Sequence, residues 1–348
     1  MSVVSRPTVL FDKPGKVYYP GETVTGTVVF ENTEPLSARS VTIGSRGKTE
    51  TWNVKTFDLN CKKPLFNGSE LVWCSEDGTN KMPVGKQEFP FSFVLPQDCP
   101  PTFKGLYGQN KYKVVVRIDV PWKFTSRIYE EFTVGKKLDL PAKMWPSADK
   151  STGWFYKAVI QAGVIFKEGP VTLKVSMPSL VVTPGETIFL YYNVTNNSGV
   201  PIKSICAKFC ERSHFHCRHQ HTPCKEFGFN TCPLGFFGQE FTTRKIGNLV
   251  SKTVNLAPFQ SGTYLLPFTV PLDAKFPSFE SGLMTHGYLF ELGVRAENSW
   301  IGQYMTAKVY IGEQMSEEEI KEEEIKEIKE KSKEQEAFGS VPPPAYSP

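Results

Sequence analysis

The stretches "TVLFDKPGKVYYPGETVTGTVVFENT" (8–33) and "TLKVSMPSLVVTPGETIFLYYNVTNN" (172–197) align without a gap at an offset of 164. Pro14 falls on Pro178, Pro20-Gly21-Glu22-Thr23 on Pro184-Gly185-Glu186-Thr187, and Asn32 on Asn196. Farther along, "FSFVLP" (91–96) matches "LPFTVP" (266–271) at 175, and Pro101-Thr102-Phe103 and Tyr112 match Pro277-Ser278-Phe279 and Tyr288 at 176. Self-similarity of this kind marks one structural unit built twice. The growing offset puts extra residues in the middle of the second copy. Both copies close alike, at Val134-Gly135 and Ile311-Gly312.

Each copy reads as strands. Val24, Gly26, Val28 and Phe30 alternate with threonines, and Tyr112, Val114, Val116, Ile118 and Val120 with more polar residues. Period two bounded by proline and glycine turns signals half-buried strands, and sheets with one apolar face close over one another. The expected fold is all-β: two tandem antiparallel β-sandwiches with a charged C-terminal tail. The expected divisions are 1–135, a connection over 136–168 of linker composition ("LPAKMWPSADKST"), 169–312, and the tail 313–348. Gly21 and Gly185 should occupy equivalent turns, Tyr112 and Tyr288 equivalent sheet positions, and Val116 should point inward.

The 348 residues exceed one domain, and 40% hydrophobic content with 26 phenylalanines suffices for sizeable cores. The opening residues contain no apolar signal core and no run approaches the length of a membrane span, so a cytosolic or peripheral protein is expected. Eight cysteines are then read as thiols, and the sequons at Asn67, Asn193 and Asn196 carry no weight. The net charge of +4 is uneven: residues 313–348 hold 11 acidic residues and 5 lysines, leaving a body of +10. That balance suits an anionic membrane face or acidic segments of a partner and is too mild to call for nucleic acid. Lys104, Lys111, Lys113, Arg117, Lys123 and Arg127 are close in sequence, and strand register decides whether they form one patch. Nucleophile elbow, phosphate loop and dinucleotide fingerprint are all missing, and the glycines of "FKGLYGQNKY" do not lead a strand into a helix. A non-enzymatic protein is expected.

Two further segments carry chemistry. "CAKFCERSHFHCRHQHTPCKEFGFNTC" (206–232) gathers Cys210, His214, His216, Cys217, His219, His221 and Cys224, soft ligands of the kind zinc takes four at a time. Their spacing matches no standard finger, and a long hairpin loop with incidental thiols and imidazoles is the plainer account of them. No cofactor is otherwise implied. On an alternating strand His214 and His216 would share a face. "VPPPAYSP" (341–348) favours polyproline II, and Pro343-Pro344-Ala345-Tyr346 fits the PPxY pattern that WW domains read. Before it, "SEEEIKEEEIKEIKEKSKEQE" (316–336) is rich in helix formers, with Ser316 and Glu319 as a capping box and Glu-to-Lys pairs at i,i+4. As a solvated helix it would span roughly 30 Å and hold PPAY clear of the body.

At "VYYPGETVTGTVVFEN", "FPFSFVLP…PPTFKGLYGQNKYKVVVRIDVPW" and "TPGETIFLYYNVTNNSG" the chain resembles the arrestin-domain-containing proteins, the α-arrestins, over residues 8–312 and in the PPxY element. The resemblance implies a trafficking adaptor, peripheral at plasma membrane and endosomes, that joins membrane-protein cargo to a WW-domain HECT-type ubiquitin ligase. Pro343, Pro344 and Tyr346 would contact the WW domain. The single PPxY departs from the family, whose members often carry two, so avidity would need another source. Two other readings are an arrestin-fold scaffold of endosomal sorting, which would not need the PPAY tail, and a metal-responsive protein centred on 206–232.

Overall fold

The computed structural model describes residues 6–53, 60–75, 78–121, 126–138, 140, 144, 154–161, 169–217, 239–297, 299 and 302–314. Their regular structure is strand, relieved by a 3-10 turn at Pro14–Lys16, with no α-helix among the described residues.

In the first copy β1 (Thr8–Phe11), β3 (Thr23–Asn32) and β8 (Gly85–Val94) form one sheet in the order β1-β3-β8. The facing sheet runs β2 (Val17–Tyr18), β11 (Ser126–Val134), β10 (Gly108–Asp119), β5 (Ser40–Trp52), β6 (Asn60–Cys74), with β9 (Phe103–Lys104) also on β10. A short pair, β4 (Leu36–Ser37) with β7 (Lys81–Met82), closes one end. The threonine–valine alternation in β3 buries Val24, Val28 and Phe30 against Val41, Ile43, Val114 and Val116 of the other sheet. Val116 points inward, as its phase predicts.

The second copy repeats the plan. β14 (Pro170–Met177), β15 (Thr187–Asn196) and β18 (Ser261–Thr269) correspond to β1, β3 and β8, and β16 (Ile202–His216), β17 (Gln239–Leu256), β19 (Phe279–Glu280), β20 (Met284–Ala296) and β21 (Gln303–Val309) correspond to β5, β6, β9, β10 and β11. Register makes the correspondence of β5-β10 with β16-β20 exact to the residue, whereas β1-β3 and β14-β15 differ by two, Thr8 facing Val29 and Thr172 facing Thr195. Tyr112 faces Gly47 and Tyr288 faces Glu211, while Gly108 faces Thr51 and Met284 faces Phe215. The offset of 164 therefore holds to the end of β16, and the extra residues enter at the hairpin tip, 217–238 against 53–59. Part of the stretch expected as connection is a strand: β13 (Trp154–Gln161) pairs with β14 and widens the sheet to β13-β14-β15-β18. Its alternation, WFYKAVIQ, was legible, but one period-two octet beside linker-like residues has no partner to reveal it.

The duplicated motifs do equivalent work. Gly21 (φ 83°) and Gly185 (φ 87°) sit in matched turns that L side chains enter only at a cost. In each the glutamate after the glycine caps the turn, Oε2 accepting from Tyr19 N at 3.0 Å and from Thr183 N at 3.1 Å. Tyr112 and Tyr288 are buried, and each hydroxyl donates to a carbonyl twelve residues upstream: Pro100 O, and Phe276 O at 2.9 Å. Asn32 and Asn196 each donate from Nδ2 to two loop carbonyls.

Equivalent residues also meet where the copies join. The Phe103 and Phe279 rings lie edge to face with centroids 5.3 Å apart. β12 (Lys137–Leu138) and β22 (Glu313–Gln314), the segments just past the closing Gly135 and Gly312, pair in parallel. A Cβ on Gly108 would come within 2.7 Å of Met284 Sδ and 2.8 Å of Phe215 Cδ1, so glycine is what lets the two sandwiches approach there.

Candidate functional site

Two surfaces of the body carry concentrated chemistry. The first is the joint between the copies, reached by the end of β16. His214 and His216 share a face as alternation requires, with fully buried rings packed edge to face at 4.6 Å. His214 Nε2 lies 2.6 Å from Gln239 Oε1 and His216 Nδ1 lies 2.9 Å from Gly282 O. Phe215, on the other face, enters an apolar cluster with Phe103, Phe279 and Met284. Thr51 Oγ1 donates to His216 O at 2.6 Å, and Cys217 Sγ to Trp52 O at 3.4 Å, so both hairpin ends are fastened together.

The fifth histidine, which the sequence did not single out, completes this joint. His286 lies opposite Ser213 and is buried, its ring centroid 4.6 Å from that of Phe103 in the first copy. Because Tyr288 spends its O–H on Phe276 O, its oxygen accepts from His286 Nε2–H at 3.3 Å, and Nδ1 accepts from Ser213 Oγ at 2.8 Å. That is a neutral imidazole. Burial, and then the Arg244 guanidinium, push its pKa down to about 3, although Glu211 Oε1 stands 4.0 Å away. A signal did exist: His286 falls two residues before Tyr288, where the first copy has Asn110 before Tyr112.

Of the residues expected as zinc ligands, His214 and His216 come together, and Cys217 turns to the other copy's backbone. Cys210 lies farther along β16 opposite Lys245 and Leu289. Burial, then the Glu291 carboxylate, raise its thiol above the ordinary value, so it is held protonated, the form that does not bind metal. No three His, Cys, Asp or Glu side chains gather as a metal site among the described residues. His219, His221 and Cys224 lie outside the described residues, as do Pro343, Pro344 and Tyr346.

The second surface is the outer face of the β11-β10-β5 sheet. Register answers the question left by sequence. Lys111 lies beside Lys48, Lys113 beside Arg46, and Arg117 beside Arg127, all on the face away from the core. Lys104 extends the face beside Gln109, whereas Lys123 is outside the described residues. Glu50 holds Lys48 at 2.7 Å, and Lys113 Nζ sits 3.8 Å above the Tyr129 ring. Arg46, Lys111, Arg117 and Arg127 make no ion pair among the described residues. Glu131 lies opposite Lys113 on the same face, so the cations without an ion pair flank two carboxylates, and the face as a whole is net basic and complementary to extended anionic groups.

This geometry agrees with the comparisons. The family model for the arrestin (or S-antigen) N-terminal domain matches residues 7–141, and that for the arrestin C-terminal domain matches residues 167–315. Arrestin domain-containing protein 17 of Caenorhabditis elegans is 26% identical over a 220-residue alignment that covers 57% of this chain and 49% of that protein. Arrestin domain-containing protein 4 of Homo sapiens is 28% identical over a 220-residue alignment that covers 56% of this chain and 49% of its own. Human arrestin domain-containing protein 1 is 27% identical over 205 residues, with 56% and 44% covered. The chain spans about half the length of the curated relatives it matches. Two domain matches in tandem, over two sandwiches built on one strand plan, show that the chain belongs to the arrestin family, among the arrestin domain-containing α-arrestins.

Proposed function

We propose that the chain is a non-enzymatic trafficking adaptor that links membrane-protein cargo to a WW-domain HECT-type ubiquitin ligase, working in the cytoplasm at the faces of plasma membrane and endosomes. The observation that carries this reading is a PPxY motif, Pro343-Pro344-Ala345-Tyr346, in a chain of the arrestin family. The prolines hold the extended conformation and offer flat apolar faces, and the tyrosine adds aromatic area and a hydroxyl. The basic face around Arg46, Lys113 and Arg117 supports the cargo half of the reading, since acidic cytoplasmic segments are its complement. The reading needs no metal, and elemental analysis of the purified protein checks residues 206–232 for zinc.

The test is titration of a fluorescent peptide covering residues 338–348 against isolated WW domains. Pro344→Ala and Tyr346→Ala should each weaken binding, Ala345 substitutions should not, and phosphate on Tyr346 should oppose binding by bringing charge to an apolar slot. Equal binding by the wild-type and Tyr346→Ala peptides overturns the ligase half.

A further inference from the structure

The sheet β13-β14-β15-β18 has an outer face unlike any other among the described residues. Phe155, Tyr191 and Leu265 stand in one cross-strand row, with Phe189 two residues from Tyr191 on the same face. They are 76%, 49%, 37% and 46% exposed respectively. The next row sets Lys157 directly beside Lys174, both exposed. The four strands contain no Asp or Glu.

The first copy shows that the fold does not require this. Thr25, Thr27 and Pro90 stand where the second copy has Phe189, Tyr191 and Leu265, and that face carries Glu31 and Glu88. At these three positions the second copy has two aromatic rings and a leucine where the first has two threonines and a proline, although Leu10 and Val94 remain exposed on the first face. Exposed aromatic clusters cost solubility and mark interaction surfaces.

We propose that this face docks on a bilayer surface containing anionic lipid. Three features single out that occupant. Aromatic rings standing on a flat sheet suit the headgroup level, where amphipathic and aromatic side chains concentrate. Lys157 and Lys174 are like charges placed directly opposite each other, an arrangement relieved by an anion lying over both. The absence of carboxylates removes repulsion from lipid phosphates, whereas a second copy stacked on the same face would bring four lysines together. The inference stands apart from the ligase reading, because neither PPAY nor a WW domain enters it.

The experiment is co-sedimentation of the full chain with phosphatidylcholine vesicles, with and without phosphatidylserine. Binding should need phosphatidylserine and weaken with salt. Phe155→Ser/Phe189→Ser/Tyr191→Ser should lower the partition coefficient roughly tenfold or more, and Lys157→Glu/Lys174→Glu by a similar factor. Lys81→Ser/Lys86→Ser, exposed lysines on the first sandwich, should keep most of the binding. Melting curves confirm that the variants fold, and if the triple variant does not, the exposed lysine pair carries the test. Wild-type binding to neither vesicle overturns the proposal, as does wild-type affinity in the lysine variant. So does a wild-type dimer that the triple variant turns monomeric with vesicle binding unchanged, because the face would then belong to a second copy.

Discussion

The two sandwiches share a frame and differ in what they place on it. Tyr112 and Tyr288 tie the same strand to the same upstream loop, and Gly21 and Gly185 make the same turn. Beside each tyrosine is a buried polar pair: Thr49 Oγ1 donates to Asn110 Oδ1 at 2.8 Å, and Ser213 Oγ to His286 Nδ1 at 2.8 Å. The geometry is one; the chemistry is not. An amide has no charge state to change near neutral pH, whereas an imidazole does. The outer faces diverge in the same manner, cationic on the β10 sheet of the first copy and aromatic on the β15 sheet of the second. Duplication thus keeps the backbone frame and its anchors while both a buried polar pair and the exposed faces specialise.

The deepest pair of positions tests the shared frame most severely. Val116 and Leu292 face Ile43 and Ala207, themselves equivalent, and both are buried. Val116→Asp and Leu292→Asp should each cost on the order of 5 kcal/mol by burying a carboxylate without a partner. Neither variant should express in soluble form, and a normal melting curve for one of them would break the equivalence.

A smaller effect is expected at the tyrosines. Tyr112→Phe leaves Pro100 O without its buried donor, and Tyr288→Phe does the same to Phe276 O, costing about 1–3 kcal/mol each. Tyr288→Phe should cost more, because its oxygen also accepts from His286, where Tyr112 has only the weaker thiol of Cys99 as a second partner. Denaturant midpoints measured side by side give the order.

Much of this was legible because duplication supplies its own alignment. The gapless match of 8–33 to 172–197 predicts a shared fold, and shared polar anchors such as Asn32 and Asn196 survive in it. The alternation of β13 was legible but its place in the sheet was not, since the first copy has no described counterpart with which to compare it. The joint was hidden for another reason: Phe103, Phe215 and His286 look like ordinary strand residues until two sheets are brought together. Register also decided the basic face, because a one-residue slip would turn Arg117 and Lys113 to the other side. The PPxY reading rests on four adjacent residues rather than on packing, and those residues lie outside the described ones.

The histidine–asparagine difference makes a pH prediction. His286 has a pKa near 3 when folded and about 6.5 when unfolded, so below 6.5 the unfolded chain binds a proton that the native one refuses. Its contribution to stability is complete above pH 6.5 and is lost as pH falls towards 3. At pH 5.5 the loss is about 1.4 kcal/mol relative to neutral pH. Ser213, Tyr288, Glu211 and Arg244 surround it, and none of them is changed in His286→Asn, which installs the first copy's residue. The variant should lose that part of the fall in melting temperature between pH 7.5 and 5.5. An unchanged slope would place the titration elsewhere.

The smallest effect concerns the basic face and has the opposite sign. Arg117 and Arg127 lie directly opposite across two antiparallel strands, and no carboxylate pairs with either among the described residues. Like charges in that position repel, and the second copy has Gly293 and Tyr304 on the corresponding strands, themselves cross-strand partners. Removing one charge should therefore stabilise the first sandwich: Arg117→Thr, which keeps a good strand former, is expected to gain about 0.5 kcal/mol at low salt, and less at high salt as screening takes over. The same substitution should weaken binding of an acidic peptide to the body, measured by fluorescence anisotropy against a neutral peptide of equal length. A gain in stability together with a loss of affinity identifies the arginine pair as a recognition surface kept against its own repulsion. If the stability gain comes with unchanged affinity, the pair is only a surface imperfection, and the cargo contact must be sought on another face.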